Sequence, residues 1–470
     1  MSSTNHAGEV AGCESSKGDT DDLADRLTPS ARRVLTYLRS LEYGACVDGL
    51  DTEESRRLRE ITSLYRGSLY RAVLKHLRRV VRLVGDAIIT QAEIAEIVEE
   101  AWRRNSTRLT TIEMRVLERI VRCPVERTQH MAKSLGLSYS QVRRARSRLL
   151  RTGVLKIQSI MDVRRIGLAR VLVYMVQPSF VISSPYLEKC LFIERPQRVV
   201  FQVLTIPQEH VSDILALVRL LRGTSSSARV WQLSAGSLQM SSTFYDTEFR
   251  NMWSVDTVCL NILARSEDST LILSPEDTTV AHRPQLLHTD ALLLDRLREN
   301  LNSTASELSR ETDLSESTVF KRRAALIKER GLVIPRARPR IPLLTDRLLL
   351  IVEPEEASSC LSAWRSLPVT YVTRITDLEN KHLTRILMMA SIPRGEGEMV
   401  RRRLRIAHGD DLTMQPMVVE SGTDERISVA ALYDVKSLRW RWEPNDFLDV
   451  IEFESAHGDQ EGAVPIDLST

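Results

Sequence analysis

The chain carries one hydrophobic pattern twice. Apolar residues at helical spacing run through Met114–Leu150 and again through Leu292–Ile327. Without a gap, Leu117 aligns with Leu294, Leu137 with Leu314, Val142 with Val319 and Leu149 with Leu326, each pair 177 positions apart. A glycine follows each run, Gly153 and Gly331, one residue out of register. Beyond the glycines the spacing changes to extended apolar runs, VLVYMVQP at Val171–Pro178 and RLLLIVEP at Arg347–Pro354.

Each of those runs leads through a short amphipathic stretch to two more strand-like segments. These are CLFIE and RVVFQVLTIP in the first copy, VTYVTRI and LTRILMMASIP in the second. A helical stretch comes next, EHVSDILALVRLL or GEMVRRRLRIA, and then a last strand, ARVWQLS or LTMQPMV. That order predicts a βαββαβ, ferredoxin-like domain in each copy. Both copies end on a tyrosine-aspartate pair ahead of tryptophan: Tyr245, Asp246 and Trp253, then Tyr433, Asp434, Trp440 and Trp442. An aromatic plug closing the sheet accounts for this ending.

The helical half of each copy predicts a winged helix-turn-helix. In the first, Ile112, Val116, Leu117 and Ile120 form one apolar stripe, Gly136 suits a left-handed turn, and Ser138 is placed to cap a third helix. On that helix Val142, Ala145 and Leu149 make a narrow buried stripe, and VLKIQSIMDV can form the hairpin of a wing. Ser138, Tyr139, Ser140, Gln141, Arg143, Arg144 and Arg148 are the candidate DNA contacts. In the second copy Ser315 caps the corresponding helix, with Lys321, Arg322 and Arg323 as its basic cluster and Glu316 at its start. DNA contact and a packing or dimerising role both fit that helix. A third module is predicted near the N-terminus, where Arg66, Ser68, Tyr70, Arg71 and Lys75 would be the exposed contacts. AEIAEIVEEAWRRN after it reads as a connecting or dimerising helix.

Charge sharpens this reading more than overall composition does. The net charge of the 470 residues is only +3. From Arg103 to Arg170, however, 17 Lys/Arg face 4 Asp/Glu, and from Gly136 to Lys156 there is no acid at all. A solvated helix ordinarily interleaves acids with bases, because pairs three or four residues apart stabilise it. An acid-free basic helix repels itself until a polyanion neutralises it, which points to phosphates. The six cysteines are scattered without metal-binding spacing, and no phosphate loop, nucleophile elbow or paired-carboxylate motif is present. No apolar run is long enough for a membrane span. The expectation is a cytoplasmic protein with no metal, no cofactor, no membrane partner and no enzymatic role.

The junction GVLKIQSIMDVRRIGLARVLVYMV resembles leucine-responsive regulators of the Lrp/AsnC type, through Asp162, Ile166, Gly167 and Leu168. Ahead of it, Ala132, Gly136, Leu137, Ser138, Val142 and Gly153 resemble the helix-turn-helix of that family. The resemblance implies a transcriptional regulator that binds double-stranded DNA in a sequence-specific manner and senses a small-molecule effector. It also implies pairing through the effector sheets, here either inside one chain as a pseudo-dimer or between chains as a homodimer. The chain departs from the family in holding two units, and in lacking the Ile-Gly-Leu step in its second copy. Siroheme decarboxylases resemble the same architecture, with His210 and His382 as the histidines available here. A non-specific architectural or replication factor is a further alternative.

The fold class expected is α+β and multidomain, with winged helix-turn-helix modules alternating with ferredoxin-like domains. The expected organisation is a leader (1–21), an N-terminal helical module (22–106), a winged helix-turn-helix (107–165), a ferredoxin-like domain (166–260), a linker (261–284), a second winged helix-turn-helix (285–341), a second ferredoxin-like domain (342–452) and a tail (453–470).

Overall fold

A computed structural model describes residue 23 and residues 25–43, 52–85, 88–221, 227–247, 252–264, 285–408, 415–443 and 448–452. The expected leader, the expected tail and residues 265–284 of the expected linker lie outside the described residues. Residues 1–108 form one compact unit and residues 109–470 a second.

Among its described residues the first unit has the helices α1 (Pro29–Tyr43), α2 (Thr52–Leu64), α3 (Leu69–Val84) and α4 (Gln91–Ser106). Leu69, Val73, Leu74 and Leu77 give α3 its buried stripe. A capping box starts α4: Glu93 takes the backbone N–H of Thr90, whose hydroxyl in turn accepts from the Glu93 N–H. Ile94, Ile97, Val98 and Trp102 of α4 join the same core. The helix expected to be a connector or dimeriser is therefore part of this unit's own core.

The second unit contains both copies. The first starts with α5 (Thr111–Arg122), α6 (Thr128–Leu135) and α7 (Tyr139–Arg151). Capping boxes open α5 at Thr110/Glu113 and α7 at Ser138/Gln141. Gly136 closes α6 in the left-handed region at φ 62°, where a side chain would crowd the backbone. The second copy repeats this with α10 (His288–Glu299), α11 (Ala305–Thr312) and α12 (Glu316–Ala324). Its left-handed turn residue is Asp313, the counterpart of Gly136. A single π turn, Ala325–Glu329, follows α12. That turn takes in one more residue than an α-turn, which explains why Gly331 stands one position out of register with Gly153.

The wing is built jointly. Strand β1 (Leu155–Met161) does not fold back on itself but pairs antiparallel with β10 (Val333–Pro339) of the other copy, in register from Leu155–Pro339 to Met161–Val333. Most of β1 is buried.

Ten further strands form one large sheet. In the first copy they are β2 (Leu168–Val176), β4 (Leu187–Ile193), β5 (Val199–Pro207), β6 (Ser227–Leu233) and β7 (Ser237–Met240). The second copy supplies β11 (Asp346–Val352), β12 (Val369–Asp377), β13 (Thr384–Ile392), β14 (Met417–Val419) and β15 (Ser421–Asp424). The order is β14-β11-β13-β12-β6-β2-β5-β4-β15, with β7 also on β12. Each copy supplies the fourth-first-third-second strand order of a ferredoxin-like domain. The fourth strand of each copy continues onto the second strand of the other, β6–β7 onto β12 and β14–β15 onto β4. Because only Glu420 separates β14 from β15, the two ends of the path meet and the sheet closes into a barrel. One strand face lies under helices and the other faces the interior, so β5 is buried at every position. Gly236 sits at the bend between β6 and β7, where a Cβ would fall 2.2 Å from the ring of Tyr371.

One crossover differs from the expected pattern. The second copy has a helix between its first two strands, α13 (Pro354–Ser366), but the first copy has a short strand there, β3 (Phe180–Ser183). The segment Phe180-Val181-Ile182 between Pro178 and Pro185 favours extended backbone over a helix. Its partner is β18 (Asp449–Glu452), from the end of the second copy.

The copies exchange their endings. After the hairpin of β8 (Tyr245–Asp246) and β9 (Met252–Trp253), helix α9 (Thr257–Ala264) packs on α13 and on α14 (Gly397–His408) of the second copy. The Val255 N–H donates to Glu396, just before α14, at 2.9 Å. In return, Trp442 donates its Nε1–H to Asp213 of α8 (Val211–Leu221) in the first copy at 2.7 Å and stacks on His210. The tyrosines of the two endings serve as staples. Tyr245 packs on Trp253, and its hydroxyl accepts the Leu109 N–H at 2.6 Å and donates to the Leu109 carbonyl at 3.0 Å. Tyr433 of β16 (Tyr433–Asp434), packed on Trp440 of β17 (Arg439–Trp440), accepts the N–H of Leu286, the residue 177 positions beyond Leu109. Among the described residues no helix is long and apolar enough to cross a membrane.

Candidate nucleic-acid interface

Helix α7 separates into two faces. Val142, Ala145 and Leu149 are buried against α5 and α6, and Ser138, Tyr139, Ser140, Arg143 and Arg144 are exposed. Tyr139 is 54% exposed, which is far more than a core tyrosine would tolerate. Gln141 is half-buried: its Oε1 accepts the Ser138 N–H at 2.9 Å, which leaves only its amide donors for a ligand. The cap directs the positive end of the helix dipole towards the exposed Tyr139–Ser140 turn, a favourable place for a phosphate or a base edge.

Arg148 departs from the expected surface. Its guanidinium lies 3.4 Å from Glu113 at the start of α5, with the arginine side chain 15% exposed. It ties α7 to α5. Arg127, Lys133 and Arg151, which sequence reasoning did not single out, are exposed on the same module. The available signal was their place outside the buried Met131–Ala132 pair of α6 and outside the stripe of α7. Arg119 is neutralised by Glu126, and that pairing holds the Glu126 carboxyl below its ordinary range.

The counterpart helix α12 presents a different face. Arg322 donates to both oxygens of Asp290, one of them at 2.8 Å, and Arg330 joins the same carboxylate at 3.0 Å. Asp290 stands in α10 where Glu113 stands in α5, so both copies use an acid at this position to hold the third helix. Arg323 donates to the carbonyls of Ser303 and Leu301. Of the three predicted basic contacts only Lys321 is exposed. Phe320, 72% exposed, occupies the position of Arg143, and Glu316 that of Tyr139.

In the N-terminal unit, Arg71 and Lys75 are exposed on α3. The others are committed within the unit. Arg66 donates to the Arg108 carbonyl at 2.6 Å, and its N–H donates to Asn105 at 2.9 Å. The Ser68 hydroxyl caps α3 and donates to Glu42. Tyr70 is buried, contrary to its expected exposure, because position 70 lies on the apolar side of α3 beside Leu69, Val73 and Leu74.

The two histidines considered for tetrapyrrole chemistry have unlike surroundings. His210 is held by Asp213 at 3.1 Å and by the stacked Trp442, whereas His382 is exposed on a turn.

No family model and no curated protein matches the chain. Solved structures do match. The siroheme decarboxylase NirDL in co-complex with an iron-uroporphyrin III analogue is 13% identical, covers 67% of this chain and 94% of its own, and has a TM-score of 0.36. Another structure of the same enzyme covers 69% of this chain and 98% of its own at 13% identity and a TM-score of 0.32. PH0061 covers 27% of this chain and 93% of its own, at 13% identity and a TM-score of 0.20. Likeness this distant concerns fold, and it transfers no chemistry. It does correct one expectation. The sequence, lacking recognisable catalytic motifs, predicts no enzymatic role, yet a decarboxylase is among the matches to this architecture, so that exclusion is withdrawn.

Proposed function

We propose that this chain is a DNA-binding transcriptional regulator of Lrp/AsnC-like type, with α7 as its reading helix. The observation that carries the reading is the contrast between two equivalent helices. On α7, Tyr139, Ser140, Arg143 and Arg144 are exposed in a stretch without acids, whereas the arginines of α12 are engaged inside their own module, Arg322 by a carboxylate and Arg323 by backbone carbonyls. Duplex DNA is the polyanion that such a helix fits: Arg143 and Arg144 meet phosphates or guanine edges, and Tyr139 and Ser140 meet the groove from the capped end. The barrel holds the two helical modules in one chain, as paired effector sheets would in a two-chain regulator, and is the place for an effector.

The test is selection of bound genomic fragments by the purified full chain at two salt concentrations, followed by titration of the recovered duplex. Arg143→Ala with Arg144→Ala should lower the salt slope by about one for each phosphate these side chains neutralise, or affinity by ~1–3 kcal/mol for each base they read. A double variant that binds as wild type does at every salt concentration would refute α7 as the reading helix.

A further inference from the structure

Positive charge is concentrated where the jointly built ribbon meets the barrel. Arg336 and Arg338 of β10, Arg170 of β2, Arg298 of α10 and Arg426 beyond β15 line one cavity with Gln158 and Ser159 of β1. Its volume is about 30 Å³, room for roughly two waters, so it suits a compact ion and excludes a bulky organic molecule. A second small cavity on the barrel side shares Arg170 with it.

The carboxylates around the cavity do not balance these arginines. Glu188 lies 3.2 Å from Arg170 and 3.6 Å from Arg298, and Glu299 lies 3.8 Å from Arg426 at the rim. Asp424 offsets part of Arg338, but Lys189 and Arg347 share its charge. Arg336 shows the deficit most directly: its Nη2 is sealed from solvent without an acceptor, and its guanidinium lies over the ring of Tyr371, 5.4 Å away. An arginine cannot escape such a site by losing its proton. Burial pushes Arg298, Arg336 and Arg338 below their ordinary range, with neighbouring arginine charge adding to it. Sealed like charges are strongly destabilising unless an opposite charge joins them.

We infer that this cavity binds a small oxyanion of the phosphate or sulfate class, held by guanidinium groups from the ribbon, the barrel and the second helical module together. The polar side chains of the wall are already engaged. Gln158 donates to the Glu299 carbonyl at 3.4 Å and accepts from Arg338 at 3.2 Å, and the Ser159 hydroxyl donates to Leu297 at 2.8 Å. Arg298 also donates to the Ile427 carbonyl at 2.6 Å, whereas the Nη2 of Arg336 is left for the ligand, and the planar fork of a guanidinium matches the divergent oxygens of an oxyanion better than a spherical halide. The ion would tie together three elements that belong to different halves of the duplication. This inference stands whether or not α7 touches DNA.

The experiment follows the melting midpoint of the full chain while sodium phosphate or sodium sulfate replaces sodium chloride at constant ionic strength. The expected result is a saturable rise at low millimolar oxyanion, confirmed by calorimetric titration with inorganic phosphate. Arg336→Met should melt no lower than wild type in chloride, since it removes an uncompensated charge, and should lose the saturable rise. General salting effects raise both proteins alike and so cancel in the comparison. If Arg336→Met fails to fold, Arg426→Ala at the exposed rim replaces it, with phosphate binding weakened about tenfold, the loss of one charge-assisted hydrogen bond. Wild-type protein indifferent to both oxyanions, or variants that keep the full response, would overturn the proposal.

Discussion

Gln158 lies directly opposite Arg336 at the centre of the β1–β10 ribbon, and the two are counterparts of each other in the duplication. Gly153 and Gly331 stand 178 positions apart, and so do Gln158 and Arg336, so the pseudo-twofold axis passes between them. In a dimer of identical chains this point would bring like against like. Fusion into one chain has let glutamine face arginine. Gln158→Arg should therefore be costly, because it restores an arginine pair at a buried point and removes the acceptor of Arg338. A loss of ~3–5 kcal/mol is expected in denaturant unfolding, as for a buried charge left without its partner.

The two tyrosine staples are unequal, and their removal should show it. Tyr245→Phe leaves both the N–H and the carbonyl of Leu109 without the phenol, in a buried setting. Tyr433→Phe gives up the contact with the Leu286 N–H, which at 3.4 Å is longer than the equivalent 2.6 Å contact of Tyr245. Tyr245→Phe should cost ~1–3 kcal/mol. Hydrogen exchange at the Leu109 amide would confirm where the loss falls.

Arg148 and Arg143 are five residues apart on one helix, yet they should behave differently. Arg148→Ala removes the guanidinium beside the Glu113 carboxylate, whose side chain is only 7% exposed, and should lower the unfolding midpoint. DNA affinity per folded molecule should stay near that of wild type, while the Arg143/Arg144 double variant shows the converse. Equal loss of DNA affinity in both would place Arg148 at the interface after all.

Gly236→Ala probes the bend between β6 and β7. The added methyl would meet Cζ of Tyr371 at 2.2 Å, so the ring must move from its place beneath Arg336. A loss of ~1–3 kcal/mol is expected from such overpacking. Gly236→Ala combined with Tyr371→Ala should recover part of what the two single variants lose in sum, which a thermal melt can read.

Acid should release the start of α14. Glu398 accepts from Arg401 at 2.8 Å and from Arg402 at 2.9 Å, and these guanidinium groups pull its carboxyl down from its ordinary 4.5 to about 2. The folded state thus holds the carboxylate more tightly than the unfolded chain does. Its stabilising contribution is fully present above about pH 4.5 and is lost as pH falls towards about 2. Glu398→Gln should flatten the stability profile in that window and leave it unchanged near neutrality.

The local half of this molecule is legible in the sequence. Ser138, Gly136 and the Val142–Ala145–Leu149 stripe specify cap, turn and buried face through neighbours a few residues away. The order of strands is equally local, since each run is bounded by its own turns. What could not be read depends on partners far along the chain. The pairing of β1 with β10 and the seating of Trp442 on His210 span well over a hundred residues, and no periodicity encodes them. The same distance hid the fate of the arginines. Arg322 and Arg143 look alike in sequence, and only the carboxylate of Asp290, contributed by another helix, makes one internal. Arg336 and Arg338 alternate along β10, a pattern that puts them on one face but does not reveal that the face is enclosed.

Closure of the sheet through β14 and β15 changes the kinetic order of assembly. In a regulator made of two separate chains, dilution dissolves the paired barrel, and folding waits on a bimolecular encounter. Here the encounter is unimolecular, at an effective concentration set by the chain that joins the copies. The midpoint of unfolding should thus be independent of protein concentration, and a cell holding only a few copies would keep every barrel assembled.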